Sequence, residues 1–131
     1  MSTIPKEKIM NPLSDLIELE QECREFGFYW PDHLMILEQI IDECREIREA
    51  IEKKASKEEI QEEIGDLLHA VISLCEFCDF DVEGTVEKAN TKFAKRVMLL
   101  KQVTRKHDLN NLQGQNLDFK LAIWKEVKAL E

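Results

Sequence analysis

Glycine and proline are scarce, with four Gly and three Pro in 131 residues. So few turn formers exclude collagen-like and low-complexity chains. They also speak against an all-β sandwich, which needs many tight turns. No uninterrupted apolar run approaches the roughly 18 residues that a membrane-spanning helix requires. Positive charge is short as well, since 18 basic residues against 27 acidic ones leave a net charge of −9. That balance disfavours non-specific attachment to a nucleic acid polymer or an anionic membrane, and it suits a protein that holds cations. The stretch Met1 to Met10 carries Lys6 and Lys8 but no apolar h-region, so no signal peptide is expected. The cysteines Cys23, Cys44, Cys75 and Cys78 form no secretory framework, and reduced thiols in the cytoplasm are the expectation. Cys75 and Cys78 make a C-x-x-C without a second pair or a preceding strand, so they read as core thiols rather than a zinc or redox pair.

What the chain has is helical periodicity. Hydrophobic residues make up 44% and charged residues 34%, enough for a packed core under a solvated helix surface. Residues 13–26 predict a first helix, stopped by Gly27. An aromatic connector, Gly27-Phe28-Tyr29-Trp30-Pro31, leads to Asp32, which caps a second helix reaching about Lys54. Ser56-Lys57-Glu58-Glu59 has capping-box spacing and opens a third helix to about Cys78. A fourth runs from Val82 to about Lys106, and after a polar loop residues 117–130 form a short last helix. With no repeat and no linker, the expectation is one all-α domain over 1–131, its core in 13–106 and a C-terminal loop and short helix in 107–131. A four- to five-helix bundle of this size buries only a modest core by itself.

Each helical residue advances about 100° around the axis. On the second helix Leu37, Ile40, Cys44, Ile47 and Ile51 share one sector, expected as the core face. Beside it runs a stripe with Gln39, Glu43 and Glu46, free of Lys and Arg. The third helix repeats the scheme, with Ile60, Ile64, Leu67, Val71, Leu74 and Cys78 as core face and Glu63 and Asp66 beside it. A short connection around Ser56 makes the two helices antiparallel, so two carboxylate pairs can face each other. Four clustered carboxylates repel and raise one another's pKa values. A hard divalent cation resolves this, and oxygen-only ligands with room for water suit Mg²⁺, with Mn²⁺ as the alternative.

The fourth helix is segregated in charge. From Lys88 to Lys106 it has seven basic residues and no acidic one. Lys92 and Arg96 share a face near Asn90, a set suited to phosphate oxygens. Val86, Ala89, Phe93, Val97 and Leu100 are its expected core face.

These residues together resemble a known family. Asp42-Glu43-Cys44-Arg45-Glu46 followed by Glu63-Ile64-Gly65-Asp66 is similar to the E-E-x-x-E … E-x-x-D signature of all-α nucleoside triphosphate pyrophosphohydrolases of the MazG type. Lys88 to Arg96 resembles that family's next block, an Asn followed by K-F-x-x-R, and Leu121 to Lys128 its C-terminal L-x-x-W-x-x-V-K. The blocks stand in the family's order from about Trp30 to Lys128. The resemblance implies Glu43, Glu46, Glu63 and Asp66 as metal ligands and Asn90, Lys92 and Arg96 as triphosphate contacts. Trp124 falls where the family can set an aromatic against the nucleotide, and it serves equally well as an anchor of the last helix. Trp30, ahead of the second helix, reads as structural. The residue implied to handle the attacking water is Asp42, one methylene shorter than the family's Glu. The implied reaction is Mg²⁺-dependent hydrolysis at the α–β phosphoanhydride to a nucleoside monophosphate and pyrophosphate, as in house-cleaning of non-standard nucleotides. A homodimer or dimer of dimers is implied too.

Two rival readings differ in class. A di-iron carboxylate bundle is suggested by Asp66-Leu67-Leu68-His69, yet with only His33, His69 and His107 no second acidic-x-x-His exists. A non-catalytic helical module would use the same charges for nucleotide binding or protein interaction alone.

Overall fold

A computed structural model describes residues 11–131, so the stretch Met1 to Met10 lies outside the described residues. Among the described residues five helices account for the regular structure: α1 (Pro12–Phe26), α2 (His33–Glu52), α3 (Lys57–Phe77), α4 (Val82–Lys106) and α5 (Leu117–Ala129). No strand occurs among the described residues, and none of the helices is long and apolar enough to cross a membrane. The chain forms two compact units, one ending at Val82 and the other spanning Glu83–Glu131. The boundary falls at the start of α4, within the stretch expected as the core.

In the first unit every helix start has the chemistry its sequence announces. Asn11 caps α1 by accepting from the backbone N–H of Leu13 and Ser14, with Pro12 in the first turn. Asp32 accepts from Met35 N at 2.9 Å, and Ser56 Oγ accepts from Glu59 N at 3.2 Å. Gly27 closes α1 at φ 106°, where its N–H reaches Arg24 O and the N–H of Phe28 reaches Cys23 O. This is a left-handed cap in which a side chain is disfavoured.

Lys54 closes α2 in the same left-handed region, at φ 56°. The N–H of Lys54 bonds Ile51 O and that of Ala55 bonds Ala50 O. Only four residues separate α2 from α3, and the two fold into an antiparallel hairpin.

The hairpin corrects the expected core faces. Leu37, Cys44 and Ile51 of α2 are exposed, as are Ile64, Val71 and Cys78 of α3; Ile40, Ile47, Ile60, Leu67 and Leu74 are half-buried. The buried positions are instead Ile36 and Glu43 on α2, and Ala70, Ile72 and Ser73 on α3. A helical wheel ranks apolarity, but the close seam of a hairpin selects small or mutually engaged side chains. The carboxylate stripe, expected beside the core face, is the seam itself.

In the second unit α4 and α5 pack around Val103, Ile123 and Val127, flanked by Leu99, Leu100, Leu112, Phe119 and Trp124. Val86, Ala89 and Phe93, expected on the core face of α4, are exposed, while Val97 and Leu100 are half-buried. Asn116 caps α5 by accepting from Phe119 N at 2.8 Å.

Lys54 bears a Cβ in a backbone region that favours glycine. Lys54→Gly should therefore stabilise the hairpin by about 0.5–1 kcal/mol, read as a higher denaturant midpoint at unchanged m-value.

Candidate metal centre

Antiparallel pairing sets Glu43 opposite Asp66 and Glu46 opposite Glu63. One carboxylate oxygen from each of Glu43, Glu63 and Asp66 falls within 4.8 Å of the others. Glu43 is only 7% exposed. Its Oε2, like Oε2 of Glu63, is buried without a hydrogen-bond partner. The other oxygen of Glu43 accepts from Gln39 Nε2 at 2.6 Å, which fixes the carboxylate in place.

Buried anionic oxygens with no donor are costly. Burial pushes the Glu43 carboxyl above its ordinary pKa, the Gln39 hydrogen bond opposes this, and the charges of Glu46 and Asp66 add to the rise. Glu46 stands outside the three-oxygen group but touches it. Its carboxyl is raised first by the hydrogen bond it shares with Glu63, then by desolvation and the Glu63 charge. An oxygen-only donor set with two orphaned buried oxygens fits a hard divalent cation, which would replace this repulsion with attraction.

Asp42 is not in this group. It is exposed and paired with Arg45 at 3.0 Å on the outside of α2.

The group opens onto a cavity of about 450 Å³, within the range of small-molecule sites. Glu43, Asp66 and Gln39 line one part of it, and the connector Phe28-Tyr29-Trp30-Pro31 lines another. Trp30, read from sequence as structural, is thus a cavity wall. Glu20 of α1 and His69 of α3 also line the cavity, hydrogen-bonded to each other at 2.7 Å. The sequence reading missed Glu20 because no local pattern ties α1 to α3. His69, weighed only as an iron ligand, has a carboxylate partner instead.

The phosphate-contact candidates belong to the second unit. Arg96 makes a two-pronged ion pair with Glu131, at 2.5 and 3.0 Å, and its guanidinium lies 5.7 Å from the centre of the Trp124 ring. That pair raises the Arg96 pKa and lowers that of Glu131, with Lys92 and Lys95 adding to the latter. The Glu131 carboxylate is thus held by Arg96 and flanked by two lysines on this face of α4. Trp124 is half-buried and packs against the α4–α5 core. Asn90 is exposed.

Carboxyls raised in the folded state bind protons more tightly there than in the unfolded chain. Their contribution is therefore full below the ordinary value of 4.5 and is lost as pH rises through the raised values. In EDTA, melting temperature should fall as pH rises above that point, and Mg²⁺ or Mn²⁺ should restore it at neutral pH. Glu43→Gln should flatten the pH dependence and shrink the metal-induced rise in calorimetry. A metal-independent melting temperature at pH 7 would remove the assignment.

A family model described as "MazG nucleotide pyrophosphohydrolase domain" matches residues 32–98, about half of the chain. Among curated proteins, the chain is 31% identical over 125 residues to "Nucleoside triphosphate pyrophosphohydrolase/pyrophosphatase MazG" of Thermotoga maritima, covering 91% of this chain and 46% of that protein. It is 26% identical over 115 residues to "Nucleoside triphosphate pyrophosphohydrolase" of Escherichia coli, covering 87% and 43%. The chain thus spans less than half the length of the curated relatives it matches. The matched segment contains all four carboxylates of the seam together with Asn90, Lys92 and Arg96, and on this ground the chain belongs to the MazG nucleotide pyrophosphohydrolase family.

Proposed function

We propose that this chain hydrolyses nucleoside triphosphates at the α–β phosphoanhydride, releasing a nucleoside monophosphate and pyrophosphate, with Mg²⁺ as activating ion and Mn²⁺ as the alternative. The observation that carries this reading is the Glu43, Glu63 and Asp66 group, with two orphaned buried oxygens beside an open cavity. Family membership and the names of both relatives support it. The proposed cellular use is removal of non-standard nucleotides in the cytoplasm.

When bound, the divalent ion supplies charge neutralisation on phosphoryl oxygens and acidifies a coordinated water. Glu43, Glu63 and Asp66 hold it, with Glu46 as a fourth carboxylate and Gln39 keeping Glu43 in orientation. Asp42 orients the attacking water and accepts its proton once the Arg45 pair opens. A carboxylate of the metal-holding group is the alternative proton acceptor. Lys92 and Arg96 bind triphosphate oxygens and stabilise charge on the leaving group, with Asn90 donating beside them. The carboxylate already seated against Arg96 supports that role.

A second copy of the chain is the proposed partner. Leu34, Leu37 and Ile41 on α2 and Ile64, Leu68 and Val71 on α3 are all exposed. At 100° per residue they fall on one side of the hairpin, a contiguous apolar face of the kind that marks interfaces.

Chromatographic separation of products from a triphosphate panel should show monophosphate and pyrophosphate with Mg²⁺ or Mn²⁺ and nothing with EDTA. Glu63→Ala and Asp66→Ala should each lower turnover by about 10³-fold at unchanged helix content, whereas Arg96→Ala should mainly raise KM. Diphosphate plus phosphate would overturn the cleavage site. In sedimentation experiments, Leu68→Lys should convert a dimer to monomer.

A further inference from the structure

The cavity beside the carboxylates has a wall that the proposed hydrolysis does not use. Glu20 Oε2 accepts from His69 Nε2 at 2.7 Å, and the Glu20 side chain is only 11% exposed. A long-range pair that joins α1 to α3 at a cavity edge holds its carboxylate in one orientation. With one oxygen engaged by the imidazole, the second oxygen retains lone pairs that can only accept.

Position along α3 gives the scale. Asp66, His69 and Ser73 line the cavity in succession, and at 1.5 Å per residue the span from Asp66 to Ser73 is about 10 Å. That is room for a nucleoside, with the Glu20–His69 pair about one helical turn from Asp66. Ala70 lies between them on the cavity floor and takes little space, while Tyr29 and Trp30 offer flat aromatic surfaces for a heterocycle.

We infer that the Glu20–His69 pair is a base-reading device that selects nucleotides whose base carries an exocyclic amine over their deaminated, keto counterparts. The inference rests on the proposed nucleotide reading of the cavity. An oriented carboxylate accepts from the amine of cytosine or adenine, whereas the carbonyl oxygen of uracil or hypoxanthine at the same place sets two acceptors against each other. A buried polar group left facing the wrong partner discriminates far more strongly than a lost methylene. Under this inference deaminated nucleotides are poor substrates, and the non-standard nucleotides removed are those altered elsewhere on the base or sugar with the amine kept.

The test is calorimetric titration of the whole chain with the monophosphates of cytidine, uridine, adenosine and inosine. Wild type should bind each amine-bearing member at least about tenfold more tightly than its deaminated counterpart. Glu20→Gln, which presents an amide able to donate, should collapse or invert both ratios, and Glu20→Asp should retain part of them. His69→Ala, which releases the carboxylate without removing it, should also weaken selectivity. Equal binding within each pair, preference for the deaminated member, no binding of any monophosphate, or an equal loss for all four in Glu20→Gln would each overturn the inference. The last pattern is what a purely structural tether between α1 and α3 would give. Hydrolysis assays separate the two readings. Pyrophosphate release with equal kcat/KM for cytidine and uridine triphosphates overturns the base reader alone, and amine-selective binding without pyrophosphate release overturns the hydrolase alone.

Discussion

Repulsion among carboxylates across the α2–α3 seam is the constraint on which the rest of the first unit depends. Hairpin seams are ordinarily closed by apolar or small residues. Here Ile36, Ala70 and Ser73 do that at one end, and the middle is given to Glu43, Glu46, Glu63 and Asp66. A fold held together only by burial would replace them. Glu43 is buried and Glu63 half-buried, while Glu46 and Asp66 are exposed, and the two oxygens lacking partners are a stability deficit of the kind that a hard cation would relieve.

The same constraint explains the exposed apolar face. With carboxylates occupying the seam, the leucines and isoleucines of α2 and α3 turn to the other side of the hairpin, where the chain by itself leaves them in water. The carboxylate seam and the exposed apolar surface are thus two outcomes of one rotation of the helices. The side that faces α1 carries the cavity. Glu20 and His69 join α1 to α3 there, and the aromatic connector supplies a wall. One helix pair therefore has a polar edge that carries the cavity and an exposed apolar edge.

Charge segregation is the second organising feature. The basic residues of α4 lie outside the acidic hairpin in sequence, and Arg96 has found an anion within its own unit in Glu131. The Arg96–Glu131 pair and the Trp124 ring beneath it form a small charge-paired assembly within the second unit.

Helix order, helix ends and the spacing of the acidic residues were legible from the amino-acid sequence because they depend on local rules. Caps at Asp32 and Ser56, the stop at Gly27 and the spacing of Glu43 with Glu46 and Glu63 with Asp66 are properties of neighbours within a few residues. Which stripe is buried was not legible. Periodicity defines a face without naming what it meets, so Leu37 and Ile64 were expected inside and Glu43 beside the core, the reverse of what the hairpin adopts. Only tertiary structure could join Glu20 to His69, 49 residues apart, set Trp30 on a cavity wall, or leave Asp42 with Arg45 outside the carboxylate group. Those outcomes follow from how helices rotate and approach, and that is decided by the summed packing of whole surfaces rather than by any run of adjacent residues.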